Sequence, residues 1–292
     1  MAGQEGLPPT FSIKNTHDMP AELLTTKRVE KPWGRHSLCR GFTDPAENDG
    51  PIGEIWFQSS ELSDPELLIK YLFTSEKLSV QNHPSDMEAA KRGLPRGKDE
   101  CWIILDAEPD STIALGPLEP MTREDLRSSA ENGTLEGRLD WKPAKPGDFF
   151  YSKSGVVHAI GAGLTLIEVQ QNSDTTYRLF DYGRPRELHL DDGVAVAELD
   201  PWTAEPQGGV VEPGREILVE GPTFVLERWT GGDRRIDMPG NARGWLVPVR
   251  GTGSVGGIAW KAGECLIVTG NEDLDASDDA DLLFAYPGAA RI

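Results

Sequence analysis

The stretch PGDFFYSKSGVVHAIG, residues 146–161, decides the fold because it places two short strands around two glycine turns. Gly147 and Asp148 form a turn before the apolar run FFYS, and Gly155 precedes a second run that begins near His158. Similar short apolar runs, separated by the chain's 32 glycines and 22 prolines, recur along most of the sequence. This pattern is typical of an all-β barrel or sandwich.

The motif recurs near the end of the chain, which indicates two related barrels in tandem. Residues 141–155 read WKPAKPGDFFYSKSG, and residues 260–271 read WKAGECLIVTGN. Each copy has Trp-Lys, then a Gly-acidic turn, then an apolar strand, and only the first copy continues to a histidine. The repeat predicts a first barrel over 27–190, which has the histidine, and a second, degenerate barrel over 191–292, which has none; residues 1–26 are expected to be loosely ordered.

Helical signals are few. Thr122 stands three residues before Asp125, close to a capping box, and Gly133 ends the segment. With the stretch TLEGRLDW that follows, these residues predict a small helical insert at about 119–141 in the first barrel. The stretch SDMEAAKRG after Pro84 predicts one more short helix.

The composition of the chain argues against some classes of binding partner and indicates a cellular compartment. The chain has 292 residues and a formal net charge of −19, which argues against nucleic acid and anionic membranes. No stretch approaches 18 uninterrupted apolar residues, so no membrane span is predicted. The three cysteines are far apart and form no CxxC, which is typical of a reduced, cytoplasmic protein. The oligomeric state does not follow from the sequence.

Two polar residues interrupt the predicted strand SVQNHP, residues 79–84. Alternate residues of a strand share a face, so Gln81 and His83 point the same way. A histidine at a strand end is often only packed and hydrogen-bonded, and this ordinary interpretation competes with a metal site. The neighbouring motifs favour the metal.

The spacing from the Gly-Asp turn to His158 resembles the second metal motif of cupin barrels, with Lys153 where a proline is usual. In the first cupin motif, Gln81-x-His83 stands in the place of His-x-His, and Glu100 in the place of the glutamate. Two imidazoles, a carboxylate and an amide oxygen suit a borderline divalent ion, zinc first, with manganese or cobalt as substitutes.

Longer motifs are similar to those of type I mannose-6-phosphate isomerases in their short bacterial form. The similarity covers most of residues 31–186 and, beyond about residue 200, is one of architecture only. The motifs that carry it are KPWG, IGEIW, KLSVQNHPSD, GKDECWIIL and GLTLIEVQQNSDTTYRLFDYGRP.

The resemblance implies a mostly β fold of tandem cupin (jelly-roll) barrels with the small helical insert. It implies a metal-dependent aldose–ketose isomerase that interconverts mannose-6-phosphate and fructose-6-phosphate through a cis-enediolate. A small-molecule sugar phosphate is then the partner.

The resemblance also assigns roles to residues. The implied metal ligands are Gln81, His83, Glu100 and His158. The implied catalytic residues are Lys98, Arg178 and Glu168. The residues implied to contact the substrate are Ser79, Glu54, Trp33 and Arg184. Glu168 is the favoured base, although Lys98 or a metal-bound water would serve, and the cation that anchors the phosphate stays open.

Two alternatives use the same barrel. An iron cupin oxygenase usually has more histidines or more open positions, and Gln81 fits it poorly as a ligand. A non-catalytic cupin that binds a metal or a sugar phosphate has no need of Lys98, Glu168 and Arg178 together.

Overall fold

The computed structural model describes residues 20–204 and 208–288, and the chain is mostly β, as predicted. The strands are β1 Ala21–Leu23, β2 Thr25–Arg35, β3 Ile52–Gln58, β4 Leu67–Phe73, β5 Val80–Asn82, β6 Glu100–Ala107, β7 Thr112–Pro117, β8 Leu139–Pro143, β9 Phe149–Ser152, β10 His158–Ile160, β11 Leu164–Gln171, β12 Tyr177–Phe180, β13 Gly209–Glu212, β14 Arg215–Glu220, β15 Phe224–Thr230, β16 Arg234–Asp237, β17 Arg243–Arg250, β18 Thr252–Val255, β19 Ile258–Lys261, β20 Leu266–Thr269, β21 Asn271–Ala276 and β22 Asp281–Pro287. The helices are α1 Asp86–Lys91, α2 Arg123–Glu131 and α3 Leu190–Val196, with a 3₁₀ turn at Leu135–Arg138.

The strands form four sheets that pair into two barrels. The first barrel has a six-stranded sheet, in the order β2-β3-β4-β11-β6-β9, and a five-stranded sheet, in the order β12-β5-β10-β7-β8. The second has a seven-stranded sheet, in the order β1-β20-β17-β22-β15-β14-β13, and a four-stranded sheet, in the order β16-β21-β18-β19. Apart from β1, each barrel is built from one continuous part of the chain.

One hydrophobic core joins the two barrels. Ile69 on β4 and Ile167 on β11 belong to the same buried cluster as Phe224 on β15 and Trp245 on β17. Because alternate residues of a strand face opposite sides, β4 and β11 contact the second barrel with one face and line the first barrel with the other. These strands are buried along their whole length for that reason.

The two copies of the Trp-Lys motif form equivalent corners. In the first, the Lys145 amide donates to Asp148 Oδ2 at 3.0 Å, and in the second the Lys261 amide donates to Glu264 Oε2 at 2.9 Å. The glycine before each acidic residue has a positive φ, 92° and 86°, which a residue with a Cβ adopts only with strain. Each corner leads from the edge of a smaller sheet into a larger one.

The segment predicted as a helical insert, about 119–141, contains α2 and the 3₁₀ turn, whereas its last residues, 139–141, begin strand β8. Thr122 and Asp125 make the reciprocal bonds of a capping box at the start of α2. Leu126 and Leu135 are fully buried in a cluster on the outside of the five-stranded sheet. The short helix after Pro84 is also present, as α1.

Two observations move the predicted domain limits. The Ala21–Leu23 strand pairs with β20, with Leu23 opposite Leu266, so the expectation of a loose segment through residue 26 is wrong for residues 20–26. Residues 1–19 lie outside the described part of the chain. At the other limit, residues after 190 pack on the first barrel, since Asn82 donates to the Gly193 carbonyl at 2.9 Å. Among residues 20–204 and 208–288, no helix has the length and apolar character that crossing a membrane requires.

Candidate metal centre and active site

Strands of the six-stranded sheet carry charged side chains on the face that lines the first barrel. Glu54 lies on β3, Lys70 on β4, Glu100 on β6 and Glu168 on β11. All four are buried. Charged groups are rarely buried unless they are paired or bind a metal. The barrel interior is therefore the candidate functional site.

The five-stranded sheet brings the other predicted ligands to the same interior. Strands β5, β10 and β12 are neighbours, and their register places Gln81 opposite both His158 and Arg178. His83 follows directly after β5. The Gly155 amide donates to the His83 carbonyl at 2.8 Å, which ties the turn before His158 to the first histidine.

Backbone carbonyls hold both imidazoles in the tautomer that leaves Nε2 available to a metal. Nδ1 of His83 lies 2.8 Å from the Thr175 carbonyl oxygen, and Nδ1 of His158 lies 2.9 Å from that of Val156. A carbonyl oxygen only accepts a hydrogen bond, so Nδ1 carries the proton in both neutral rings. Outer carbonyls of this kind orient metal-binding histidines in general.

Glu100 completes a converging set of three acceptors. Its Oε1 lies 3.2 Å from His83 Nε2 and 3.0 Å from His158 Nε2, and the three ligand atoms lie within 4.8 Å of one another. All three atoms carry lone pairs, so they repel one another unless a cation or a proton lies between them. Two imidazole nitrogens and a carboxylate oxygen fit zinc.

The protonation states also suit a metal. Burial lowers the pKa of His83 to about 3, and the positive charge of Lys98 adds to that effect. Burial opposes the ionisation of Glu100, but Lys98 and the two histidines outweigh it and hold the pKa of Glu100 well below its usual range. Lys98 Nζ lies 2.5 Å from Glu100 Oε2 and 3.3 Å from His83 Nε2. Near pH 7, His83 is thus a neutral imidazole and Glu100 a carboxylate, the forms in which these groups bind a metal.

Gln81 lies beside these three residues with its amide nitrogen toward them. Its Nε2 is 3.5 Å from His158 Nε2, and its Oε1 accepts a hydrogen bond from Ser79 Oγ at 2.9 Å. A half-turn of the amide exchanges its oxygen and nitrogen, and the Ser79 hydroxyl can then accept instead of donate. The fourth predicted ligand is therefore within reach of the centre.

A cavity of about 250 Å³ adjoins the centre. His83 and His158 are buried behind its wall. Eight other residues predicted for the site line the cavity: Trp33, Glu54, Ser79, Gln81, Lys98, Glu100, Glu168 and Arg178.

Glu168 is an anchored carboxylate in the cavity wall. Lys70 Nζ donates to Glu168 Oε1 at 2.9 Å and to Gln170 Oε1 at 2.6 Å, while Trp102 Nε1 donates to Glu168 Oε2 at 3.0 Å. Burial opposes the charge on Lys70, but Glu168 and Glu54 outweigh it and raise the pKa of Lys70. Lys70 is therefore a cation, and it fixes the position of Glu168.

Glu54 forms a second paired carboxylate in the cavity. Lys31 Nζ lies 3.2 Å from its Oε1, and Trp56 Nε1 donates to its Oε2 at 2.6 Å. Burial opposes ionisation, but Lys70 and Lys31 outweigh it and lower the pKa of Glu54. The cavity therefore holds cations and carboxylates in alternation.

Arg184, predicted to contact substrate, does not line the cavity. Its Nε and Nη2 donate to Asp181 Oδ1 at 3.0 and 2.7 Å, and Nη2 also donates to the Lys77 carbonyl. Arg186 does line the cavity, next to Arg178, and its Nε donates to the other Asp181 oxygen at 2.6 Å. The buried carboxylate of Asp181 turns one arginine away and holds the other at the cavity, which residue spacing alone does not show.

Arg178 presents a donor that has no partner within the described residues. Its Nη1 donates to the Glu187 carbonyl at 2.7 Å, whereas its buried Nε makes no hydrogen bond. Burial and the positive charge of Arg186 lower the pKa of Arg178. A guanidinium in the wall of a cavity suits an anion such as a phosphate.

Comparisons with known proteins place this site in a family. No protein-family model matches the chain. The chain is 37% identical over 247 residues to the mannose-6-phosphate isomerase of Streptococcus mutans, a match that covers 71% of this chain and 78% of that protein. The chain belongs to the mannose-6-phosphate isomerase family.

Two further comparisons add detail. The mannose-6-phosphate isomerase ManA of Bacillus subtilis is 40% identical over 178 residues, and this match covers 56% of the chain and 54% of ManA, about half of each. A crystal structure of the Bacillus subtilis mannose-6-phosphate isomerase superposes with a TM-score of 0.77 at 26% identity, covering 90% of this chain and 98% of that one. A zinc-bound mannose-6-phosphate isomerase shares the fold alone, with a TM-score of 0.67 at 14% identity. The predicted tandem-cupin fold is confirmed.

Sequence reasoning missed several residues of this mannose-6-phosphate isomerase fold that line the cavity. Lys70 had a signal, since it is the one charged residue in the apolar run LLIKYLF. Lys31 belongs to the KPWG motif but received no role. Arg186 had none, because its position depends on Asp181.

Proposed function

We propose that the protein interconverts mannose-6-phosphate and fructose-6-phosphate in a metal-dependent reaction. The observation that carries this proposal is the convergence of two imidazoles and a carboxylate beside a cavity that also holds Glu168 and Arg178. The two relatives compared above are named mannose-6-phosphate isomerases, which favours the isomerase over an oxygenase or a non-catalytic cupin.

Zinc is the proposed ion. His83 and His158 would hold it through Nε2, Glu100 through a carboxylate oxygen and Gln81 through its amide oxygen. When bound, the ion supplies Lewis acidity toward the two vicinal oxygens of the sugar. A zinc-bound isomerase of the same fold supports this choice. Manganese and cobalt suit the same nitrogen and oxygen donors.

Glu168 is the proposed base that moves the proton between C2 and C1 of the sugar. Each of its oxygens accepts one hydrogen bond, and a carboxylate has about four acceptor sites, so capacity for the proton remains. Lys70 and Trp102 hold the carboxylate against the cavity wall. Lys98, which donates to Glu100 Oε2 and lines the cavity, is placed to donate a hydrogen bond to a developing oxyanion of the cis-enediolate.

Arg178 and Arg186 are the proposed phosphate anchors. Both line the cavity, and a guanidinium stays charged and offers planar donors to a phosphate. The chain carries a net charge of −19, so an anionic substrate needs a local cluster of cations. These two arginines provide it.

A cytoplasmic location also belongs to this proposal. Cys39, Cys101 and Cys265 are all free thiols, and the latter two are buried. Free cysteines are typical of reducing compartments.

An assay of metal-stripped protein tests the proposed function. The full chain is treated with a chelator, supplied separately with zinc, manganese or cobalt, and assayed for fructose-6-phosphate formed from mannose-6-phosphate. We expect no turnover after stripping and recovery with zinc. Equal turnover with and without metal, or none with any ion, would contradict the proposal.

A further inference from the structure

Strand β6, which carries Glu100, also faces the C-terminal barrel. Glu100 and Lys98, two residues before it, have side chains at the metal centre. Cys101 points the other way, into the core that it shares with Phe224 of the second barrel. Asp99, which directly precedes β6, has its carboxylate at the junction of the two barrels, since it accepts a hydrogen bond from Thr223 of the C-terminal barrel.

Three segments donate hydrogen bonds to this carboxylate, which is 2% exposed. Asp99 Oδ2 accepts from Thr223 Oγ1 at 2.9 Å and from Tyr151 Oη at 3.1 Å, and Oδ1 accepts from the Ser154 amide at 2.8 Å. Tyr151 lies on β9, and Thr223 lies in the turn between β14 and β15 of the C-terminal barrel. One side chain therefore joins both barrels.

The third donor connects Asp99 to the histidines. Ser154 belongs to the loop that leads into β10 and His158. The next residue, Gly155, donates its amide to the His83 carbonyl at 2.8 Å. The Asp99 carboxylate thus links the loop before His158 to the start of the strand that carries Glu100.

The C-terminal turn has little freedom at this junction. A Cβ added to Gly221 would lie 2.8 Å from Tyr151 Oη, so the turn packs directly on that side chain. The rings of Tyr151 and Phe224 are also in edge contact, with centroids 6.1 Å apart. Because the turn is packed this closely, the position of Thr223, and of the hydrogen bond that it donates to Asp99, is fixed.

We propose that Asp99 is a positioning residue through which Thr223 of the C-terminal barrel holds Glu100, Lys98 and the loop before His158 in metal-binding geometry. This inference rests on the metal centre proposed above. Apolar contacts alone would join the barrels at a lower desolvation cost than a buried carboxylate. A carboxylate instead fixes three segments by directional bonds.

The test measures zinc affinity without substrate. Metal-free full-length protein is titrated with zinc in competition with a chromophoric chelator, for the wild type and for Thr223→Val, which keeps the shape and removes the hydroxyl. Loss of an outer-shell partner weakens metal binding about 10- to 100-fold, and we expect the lower end, roughly tenfold, for this more distant bond. Thr223→Ser, which keeps the hydroxyl, should restore wild-type affinity, and Thr223→Ala should reproduce the defect with less bulk.

Tyr286→Phe is the matched control for general destabilisation. It removes a hydroxyl that donates to the buried Glu227 at 2.7 Å, inside the C-terminal barrel and away from Asp99. We expect it to lower the melting temperature and leave the zinc dissociation constant unchanged. The positioning role is wrong if Thr223→Val binds zinc as tightly as the wild type. It is also wrong if Thr223→Val loses no more zinc affinity than Tyr286→Phe does. If the wild type binds no zinc, the metal centre itself is refuted, and this inference with it.

Discussion

Glu168 combines a fixed position with spare acceptor capacity. Lys70 and Trp102 bond one oxygen each, so the carboxylate cannot turn away from the cavity. Among the described residues, its hydrogen bonds are with Lys70 and Trp102 and not with His83 or His158. The proposed base is therefore separable from the candidate metal ligands by mutation.

Glu168→Gln should reduce kcat by about 10²- to 10⁴-fold, the usual contribution of a general base, and leave the zinc content unchanged. The amide keeps the shape of the side chain, and Lys70 retains Gln170 and the nearby Glu54 as partners. Steady-state kinetics and metal analysis measure the two effects, with the exposed Glu47→Gln as control. Normal turnover in Glu168→Gln would rule out its role as the base.

Arg186→Met should raise the KM for mannose-6-phosphate by about 10- to 100-fold, which corresponds to one hydrogen bond between charged groups. The fold of the barrel should survive, because Asp181 keeps Arg184 as a partner. Arg235→Met removes an exposed arginine of the second barrel and serves as control. An unchanged KM in Arg186→Met would leave the phosphate to other cations.

Sequence spacing could predict the candidate ligands because a strand's geometry is local. Gln81-x-His83 shares a strand face wherever the strand lies, and the turn before His158 has its own signature. The choice between Arg184 and Arg186 depends on how a buried Asp181 folds back on both. That arrangement is tertiary and has no local signal.

Strand β15 of the second barrel repeats an arrangement found on β3 of the first. Trp229 Nε1 donates to Glu227 Oε2 at 2.7 Å, as Trp56 Nε1 does to Glu54 Oε2 at 2.6 Å. In the second barrel, Arg215 adds a bidentate ion pair to this glutamate. The position equivalent to a cavity carboxylate is thus part of the packed core there.

Glu227 should make stability depend on pH. Burial opposes its ionisation, but hydrogen bonds from Arg215, Trp229 and Tyr286 outweigh it and lower the pKa of Glu227. A folded-state pKa below the unfolded value of about 4.3 stabilises the protein above that pH, and the stabilisation is lost as the pH falls further. Urea unfolding of Glu227→Gln between pH 6 and 3 should show a weaker pH dependence than the wild type. An identical dependence would contradict this assignment.

The capping box of α2 should contribute to stability independently of the site. Thr122→Ala removes the hydroxyl that accepts from the Asp125 amide, while Asp125 still accepts from the backbone amide of residue 122, and should lower the free energy of unfolding by about 0.5–2 kcal/mol. Thr134→Ala, at the start of the 3₁₀ turn, is the control because Thr134 makes no capping bond. Denaturant unfolding measures both. Equal losses would show that the capping bonds contribute nothing specific.

The two barrels share more contacts than the repeated sequence pattern predicts, since they have a common core and β1 pairs with the second barrel. The repeated Trp-Lys corner indicated the tandem architecture, because each corner is formed by consecutive residues. Strand β1, in contrast, crosses to the second barrel, where Ala21 is opposite Val268. Pairing between residues so far apart in the chain has no local sequence signal, so the predicted limit at residue 26 missed it.

One measurement tests the central claim most directly. Mannose-6-phosphate is incubated in deuterated water with zinc-loaded protein and with the same protein after chelation, and the product is followed by nuclear magnetic resonance. Proton transfer through a cis-enediolate predicts fructose-6-phosphate that carries solvent deuterium at C1, formed only by the zinc-loaded protein. Absence of fructose-6-phosphate, or its equal formation by chelated protein, would contradict the account.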